Sequence, residues 1–228
     1  MSNKRIYLCL AHMSGNEQKY IQEAFDTNWV VPLGPNVNAF EEDLRVFAGG
    51  ERQVVALSAG TAAIHLGLKL CDVGPGDEVI VQSFTFSASC NPVTYLGARP
   101  VLVDSEEDTW NMSPQLLEAA IEDRIAQTGR KPKAIVPVHM YGMPAKMDEI
   151  MAITESYGIP VVEDAAEAFG SRYKGRMCGT FGRYGIMSFN GNKMITTSGG
   201  GALICPDAES KQRAMYFATQ ARLGYPHY

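Results

Sequence analysis

From Gln53 onward the chain alternates short apolar runs with stretches of helical periodicity, and this alternation constrains the fold more than any other feature. The runs Gln53–Leu57, Glu78–Gln82, Pro100–Asp104, Lys133–Val138 and Pro160–Asp164 have strand length and strand composition. Between them, Thr61–Leu70, Ala88–Leu96, Ser113–Ala126 and Met147–Tyr157 carry apolar residues at helical spacing, with Ser113 as an N-cap and Pro114 at a first helical position. Strands that read as continuous apolar runs are covered on both faces, which is the signature of a mostly parallel sheet. The expected fold class is α/β, a three-layer α/β/α arrangement. After Gly170 the pattern changes. Tyr184–Phe189 and Gly201–Cys205 read as paired strands around a Gly/Thr-rich turn, with antiparallel pairing open to them, and a helix follows from about Asp207.

Ahead of this core, Ser14 opens a capping box with Glu17, followed by Tyr20, Ile21, Ala24 and Phe25 at helical spacing. A loop with Pro32, Gly34 and Pro35 leads to a second amphipathic stretch, Phe40 to Phe47. The chain therefore divides into an N-terminal segment, 1–40, and a large domain, 41–228.

The net charge of −5 on 228 residues, with no long run of either sign, argues against a nucleic-acid partner or an anionic membrane surface. Cys9, Cys71, Cys90, Cys178 and Cys205 are odd in number and widely spaced, without Cys/His ligand spacing, so neither a metal site nor a disulfide framework is expected. The start, Met1-Ser-Asn-Lys-Arg-Ile6, lacks the apolar stretch of a signal peptide, and the chain reads as cytoplasmic.

Ligands of such sheets bind outside the carboxyl ends of the strands. Attention therefore falls on Ser58–Thr61, Ser83–Phe86, Asp104, His139–Gly142 and Asp164–Glu167. In Ser58-Ala-Gly-Thr61, Gly60 permits a tight turn, and the first helical amides could face an anion; plain turn chemistry reads the same way. Neither a Walker loop nor a dinucleotide fingerprint occurs. In Gln82-Ser-Phe-Thr-Phe-Ser87, one aromatic ring could lie against a planar cofactor, or both could be core. Asp164 ends an apolar strand, where its carboxylate needs a cation or several donors, unless it is a helix N-cap. Lys193, in Ser188-Phe-Asn-Gly-Asn-Lys193-Met-Ile-Thr-Thr-Ser-Gly-Gly-Gly201, could condense with a phosphorylated aldehyde; alone, it would be a solvated surface charge.

In this order, S-A-G-T-A-A, S-F-T-F-S-A, V-E-D-A-A-E-A and S-F-N-G-N-K-M-I-T-T resemble the DegT/DnrJ/EryC1/StrS branch of the aspartate-aminotransferase fold. The resemblance runs from about Ala11 to the C-terminus. It implies the large domain of a fold type I, pyridoxal 5'-phosphate-dependent transferase, with a small C-terminal domain missing after Tyr228. By position, Lys193 would bond the cofactor's aldehyde carbon, Asp164 would pair with the pyridine nitrogen, and Phe86 would stack on the ring. Glu167 would lie near the 3-hydroxyl, where relatives often carry Gln or His. Gly60, Thr61 and Ser188 would bind the phosphate.

The implied activity transfers an amino group from L-glutamate to a nucleotide-linked keto sugar for cell-surface glycan synthesis, in a homodimer. The F-N-G-N-K version is similar to bacillosamine-type enzymes, which act on C4 of a UDP-4-keto-6-deoxy-N-acetylhexosamine; most of the branch has S-F-H at Ser188–Asn190. Two alternatives stand beside it. One is sugar dehydration, in which relatives replace the lysine by histidine. The other is a non-catalytic regulatory or binding module.

Overall fold

A computed structural model of the chain describes residues 12–221 together with Arg5 and Tyr7. Its elements in order are α1 (Glu17–Asp26), α2 (Pro35–Phe47), β1 (Gln53–Leu57), α3 (Gly60–Leu70), β2 (Glu78–Gln82), a single 3-10 turn (Ser87–Ser89), α4 (Asn91–Tyr95) and β3 (Arg99–Val103). There follow α5 (Pro114–Thr128), β4 (Ala134–Val136), a second 3-10 turn (Met140–Gly142), α6 (Met147–Tyr157), β5 (Val162–Asp164), a small hairpin of β6 (Arg172–Tyr173) and β7 (Arg176–Met177), β8 (Tyr184–Ser188), β9 (Gly201–Cys205) and α7 (Ala208–Ala218). Helix α2 straddles residue 40, the expected division of the chain.

Two sheets of order β1-β9-β8-β5 and β3-β2-β4 are joined by parallel bridges between Ile135 and Val161 and between Val138 and Asp164. The continuous order is β1-β9-β8-β5-β4-β2-β3. All of these strands run one way except β9, which pairs antiparallel with both β1 and β8. The expected mostly parallel sheet is present, and the late pair of strands is antiparallel.

Alternate residues of each strand enter opposite layers, as a two-residue period requires. Val79 and Val81, Tyr184 and Ile186, and Leu203 and Cys205 pack with α3, α4 and α7 side chains such as Ile64, Leu68, Val93 and Ala214. On the other face, Ile80 and Ile135 meet Leu117 and Ile121 of α5 and Met147 and Ile150 of α6. Met187, Ala202 and Ile204 meet Leu44 of α2. Helices thus cover both faces in three layers.

Two local expectations need correction. The stretch Ala88–Leu96 is not one helix, because Pro92 supplies no amide for an unbroken turn, and the chain instead makes a 3-10 turn and a short α4. Ser14 is not the N-cap of α1. Its amide donates to Glu17 Oε1 at 2.6 Å, half of a capping box, but the helix begins at Glu17, behind Asn16. Helix α1 buries no residue among those described.

Candidate active site

Strand direction places the carboxyl ends of β1, β5 and β8 and the start of β9 at one edge of the sheet. There Gly201 pairs with both Leu57 and Ser188. A Cβ on Gly201 would collide with the Ala59 carbonyl group and the Gly60 nitrogen, and one on Gly60 would lie 2.9 Å from Ser188 Cβ. The start of α3 therefore rests directly on the β8–β9 pair because two glycines leave room for it. Gly201→Ala is expected to lower stability by about 3 kcal/mol, at the upper end for overpacking, measurable as a shifted urea midpoint. An unchanged midpoint would mean that this backbone contact is not tight.

Above that contact lies a cavity of about 310 Å³. All seven residues to which the resemblance gives a cofactor role line it: Gly60, Thr61, Phe86, Asp164, Glu167, Ser188 and Lys193. Asp104 does not. It receives Ser83 Oγ at 3.2 Å and the Ser105 amide at 2.8 Å, and it organises its own loop. Helix α3 starts behind Ala59, which has no side-chain acceptor, so its first-turn amides are open to an anion in the cavity. Phe86 is 73% exposed and presents its ring at the mouth.

Lys193 sits in the loop between β8 and β9, its amide bonded to Asn190 O at 3.0 Å. Its Nζ lies 3.0 Å from Glu167 Oε1. The other Glu167 oxygen accepts the Tyr141 amide at 2.9 Å. Tyr141 has a left-handed backbone (φ 51°), uncommon for an aromatic residue, and this conformation accompanies the bond to Glu167.

The neighbours Glu163 and Asp164 point to opposite faces of β5 and meet opposite surroundings. Burial would push Glu163 up, but His139, 2.7 Å away, and the amides of Gly182 and Gly179 outweigh it and hold the carboxyl below the usual range. Phe181 adds a further amide at 2.8 Å. Because His139 Nδ1 accepts the Ala145 amide at 3.0 Å, its proton lies on Nε2 and is donated to Glu163.

Asp164 is 4% exposed, and burial pushes its carboxyl above the ordinary range against the lowering effect of Ser89, the Ala166 amide and Lys193. It takes a hydrogen bond from Ser89 Oγ at 2.7 Å and one from the Ala166 amide at 3.1 Å. This buried carboxylate on the cavity wall would gain from a cation delivered into the cavity, and a protonated pyridine is one such cation.

Several lining residues were given no role in the sequence reading. Ser89 and Thr85 face the cavity from the Phe86 loop, and Asn190 and Asn192 from the Lys193 loop. Behind the wall, Gln82 and Asn111, both fully buried, tie three loops together. Gln82 accepts the Met112 amide at 2.8 Å and donates to Phe84 O at 2.8 Å, while Asn111 accepts the Met140 amide at 2.9 Å and donates to Met143 O at 2.8 Å. Among the described residues, no group of His, Cys, Asp and Glu is placed to hold a metal ion.

Solved structures with this architecture are pyridoxal-phosphate-dependent aminotransferases of fold type I, the class to which sheet, edge and cavity together point. A DegT/DnrJ/EryC1/StrS aminotransferase from Brucella abortus superposes with a TM-score of 0.80 at 36% identity, over 90% of this chain and 58% of its own. In sequence, the chain is 54% identical over 226 residues to EpsN of Bacillus subtilis (strain 168), named as a proposed pyridoxal phosphate-dependent aminotransferase; the match covers 99% of this chain and 58% of EpsN. It is 42% identical to a GDP-perosamine synthase of Caulobacter vibrioides (strain ATCC 19089 / CIP 103742 / CB 15), over 89% of this chain and 53% of that protein. The chain belongs to the DegT/DnrJ/EryC1/StrS aminotransferase family, whose profile matches residues 11–224. The family's cofactor is pyridoxal phosphate. The chain spans just over half the length of these relatives.

Proposed function

We propose that this chain carries the cofactor site of an aminotransferase that moves an amino group from L-glutamate to a nucleotide-linked keto sugar in the cytoplasm, for cell-surface glycan synthesis. The observation that carries the reading is the meeting of Lys193 Nζ and the buried Asp164 carboxylate on the wall of one cavity beside the open end of α3. The site fits pyridoxal phosphate in its chemistry. There is an amine for the aldehyde, an anion for the ring nitrogen, amides and hydroxyls for the phosphate, and an aromatic ring for the stacking face.

When bound, the cofactor supplies an aldehyde carbon for amine exchange and a ring that accepts negative charge. The chain's residues do the rest. Asp164 holds a proton on the ring nitrogen by its charge. Lys193 is the general base that carries a proton to and from the donor's α-carbon. Glu167, fixed by the Tyr141 amide, orients that amine and would lie near the 3-hydroxyl of a bound cofactor. Gly60, Thr61 and Ser188 would hold the phosphate, and Phe86 would cover the ring.

We assign the sugar as a UDP-4-keto-6-deoxy-N-acetylhexosamine aminated at C4. The support is the F-N-G-N-K sequence, which brings Asn190 and Asn192 to the cavity wall. A GDP-linked sugar is the second reading, favoured by the relatives named GDP-perosamine synthase. We further propose a homodimer, with the exposed Phe86, Trp110, Tyr141, Met194 and Ile195 under the second copy. No helix among the described residues is long and apolar enough to cross a membrane. Cys71, Cys90, Cys178 and Cys205 are unpaired thiols, consistent with a reducing compartment.

Added pyridoxal phosphate is expected to give the chain a near-visible absorbance band, which L-glutamate should bleach. A band that no amino donor changes would instead support a binding or regulatory module, and the absence of any band would defeat the cofactor reading. Turnover of UDP- and GDP-linked 4-keto and 3-keto sugars with glutamate, by a protein including the C-terminal region of its relatives, then separates the two substrate readings. Conversion of a sugar without glutamate would indicate dehydration.

A further inference from the structure

We propose that Thr85 and Ser89 are positioning residues, a two-hydroxyl relay that fixes the Asp164 carboxylate and couples it to the loop carrying Phe86. The proposal rests on the reading of the cavity as a pyridoxal phosphate site. Ser89 is 1% exposed and ends the 3-10 turn that follows Phe86. Its Oγ lies 2.7 Å from Asp164 Oδ2 and 2.8 Å from Thr85 Oγ1. A hydroxyl has one proton to give, and an ionised carboxylate can only accept. Ser89 therefore spends its proton on Asp164, and Thr85 must donate to Ser89. The chain has one sense, from Thr85 through Ser89 to Asp164, and each bond polarises the next.

The same turn sets the stacking loop, since the Ser89 amide donates to Phe86 O at 3.0 Å. A shift of Phe86 therefore moves Ser89, and with it one of the two hydrogen bonds on Asp164. The Ala166 amide holds the other carboxylate oxygen, so Ser89 decides whether the carboxylate plane is fixed at both ends. Without that proton, a buried carboxylate already disfavoured by desolvation takes up a proton of its own, and a neutral Asp164 no longer holds a proton on the ring nitrogen by charge.

The test loads the 228-residue chain with pyridoxal phosphate labelled with 15N in the ring. The parent chain is expected to show the 15N shift of a protonated pyridine. Ser89→Ala should move that shift toward the unprotonated value and weaken cofactor affinity about tenfold, the size expected for losing a hydrogen bond to a charged group. Ser89→Thr keeps the hydroxyl and should keep the shift. Thr85→Val, at a half-buried site and nearly isosteric, should move it in the same direction by less, and it carries the test should Ser89→Ala fold poorly. A purely structural serine would lower the melting temperature and leave the shift in place. An unchanged shift in both Ser89→Ala and Thr85→Val overturns the relay while the cofactor reading stands. A parent chain without the near-visible band overturns the cofactor reading itself, and the relay with it.

Discussion

Lys193→Ala is expected to leave the chain with no cofactor that borohydride can fix, as judged by the mass of the intact protein after reduction. The expectation follows from placement. Lys193 is the amine that lines the cavity, and its side chain is 14% exposed and held 3.0 Å from Glu167. Alanine removes the nucleophile, so the near-visible band should vanish as well, whatever non-covalent affinity the phosphate and stacking contacts retain. The fold should barely notice. Glu167 keeps its bond from the Tyr141 amide, and partly exposed ion pairs contribute about 1 kcal/mol or less. Thermal unfolding should therefore shift little while covalent capture falls to nothing. A reduced adduct of unchanged yield in Lys193→Ala would assign the covalent role to another amine.

The sequence exposed the sheet more readily than the polar machinery behind it, for physical reasons. Strands β1, β2 and β9 and helix α6 occupy the residues read from the pattern alone, because β-branched runs and helical spacing bounded by turn residues are local signals. The seven site residues converge because the parallel strands β1, β2, β5 and β8 send their carboxyl ends to one edge. Ser89 gave no such signal. It lies in a stretch that reads as helix, and its partner Asp164 is 75 positions away. Glu163 lies inside one apolar run and His139 directly after another, and only the pairing of β4 with β5 brings them into contact. The β6–β7 hairpin was too short for a periodic signal. Its turn is visible once Lys174 and Gly175 are seen with positive φ, as a tight hairpin turn needs.

Glu163→Gln is expected to cost about 2–3 kcal/mol of folding stability, the range for buried N–H groups that lose a charged acceptor and are left unsatisfied. The substitution preserves shape almost perfectly, so the loss isolates chemistry. Four donors aim at the Glu163 carboxylate: His139 Nε2 and the amides of Gly179, Phe181 and Gly182. An amide side chain has one oxygen, and wherever its NH2 points it meets N–H groups with nothing to accept. Flipping the amide only changes which pair is orphaned. The damage should extend toward the site. The 179–182 turn, held from outside by Arg52 and Arg176 on Thr180 O, leads into β8, and His139 donates its amide to Asp164 O at 3.1 Å. The sign of the pH dependence follows from the depressed carboxyl of Glu163 in the fold. Its contribution is complete above the ordinary glutamate range and is lost as pH falls through the folded value. The gap between parent and Glu163→Gln in urea unfolding should therefore be widest near neutrality and narrow in acid. A gap below about 1 kcal/mol at neutral pH, or one that widens in acid, would show that Glu163 is not held as an anion by these four donors.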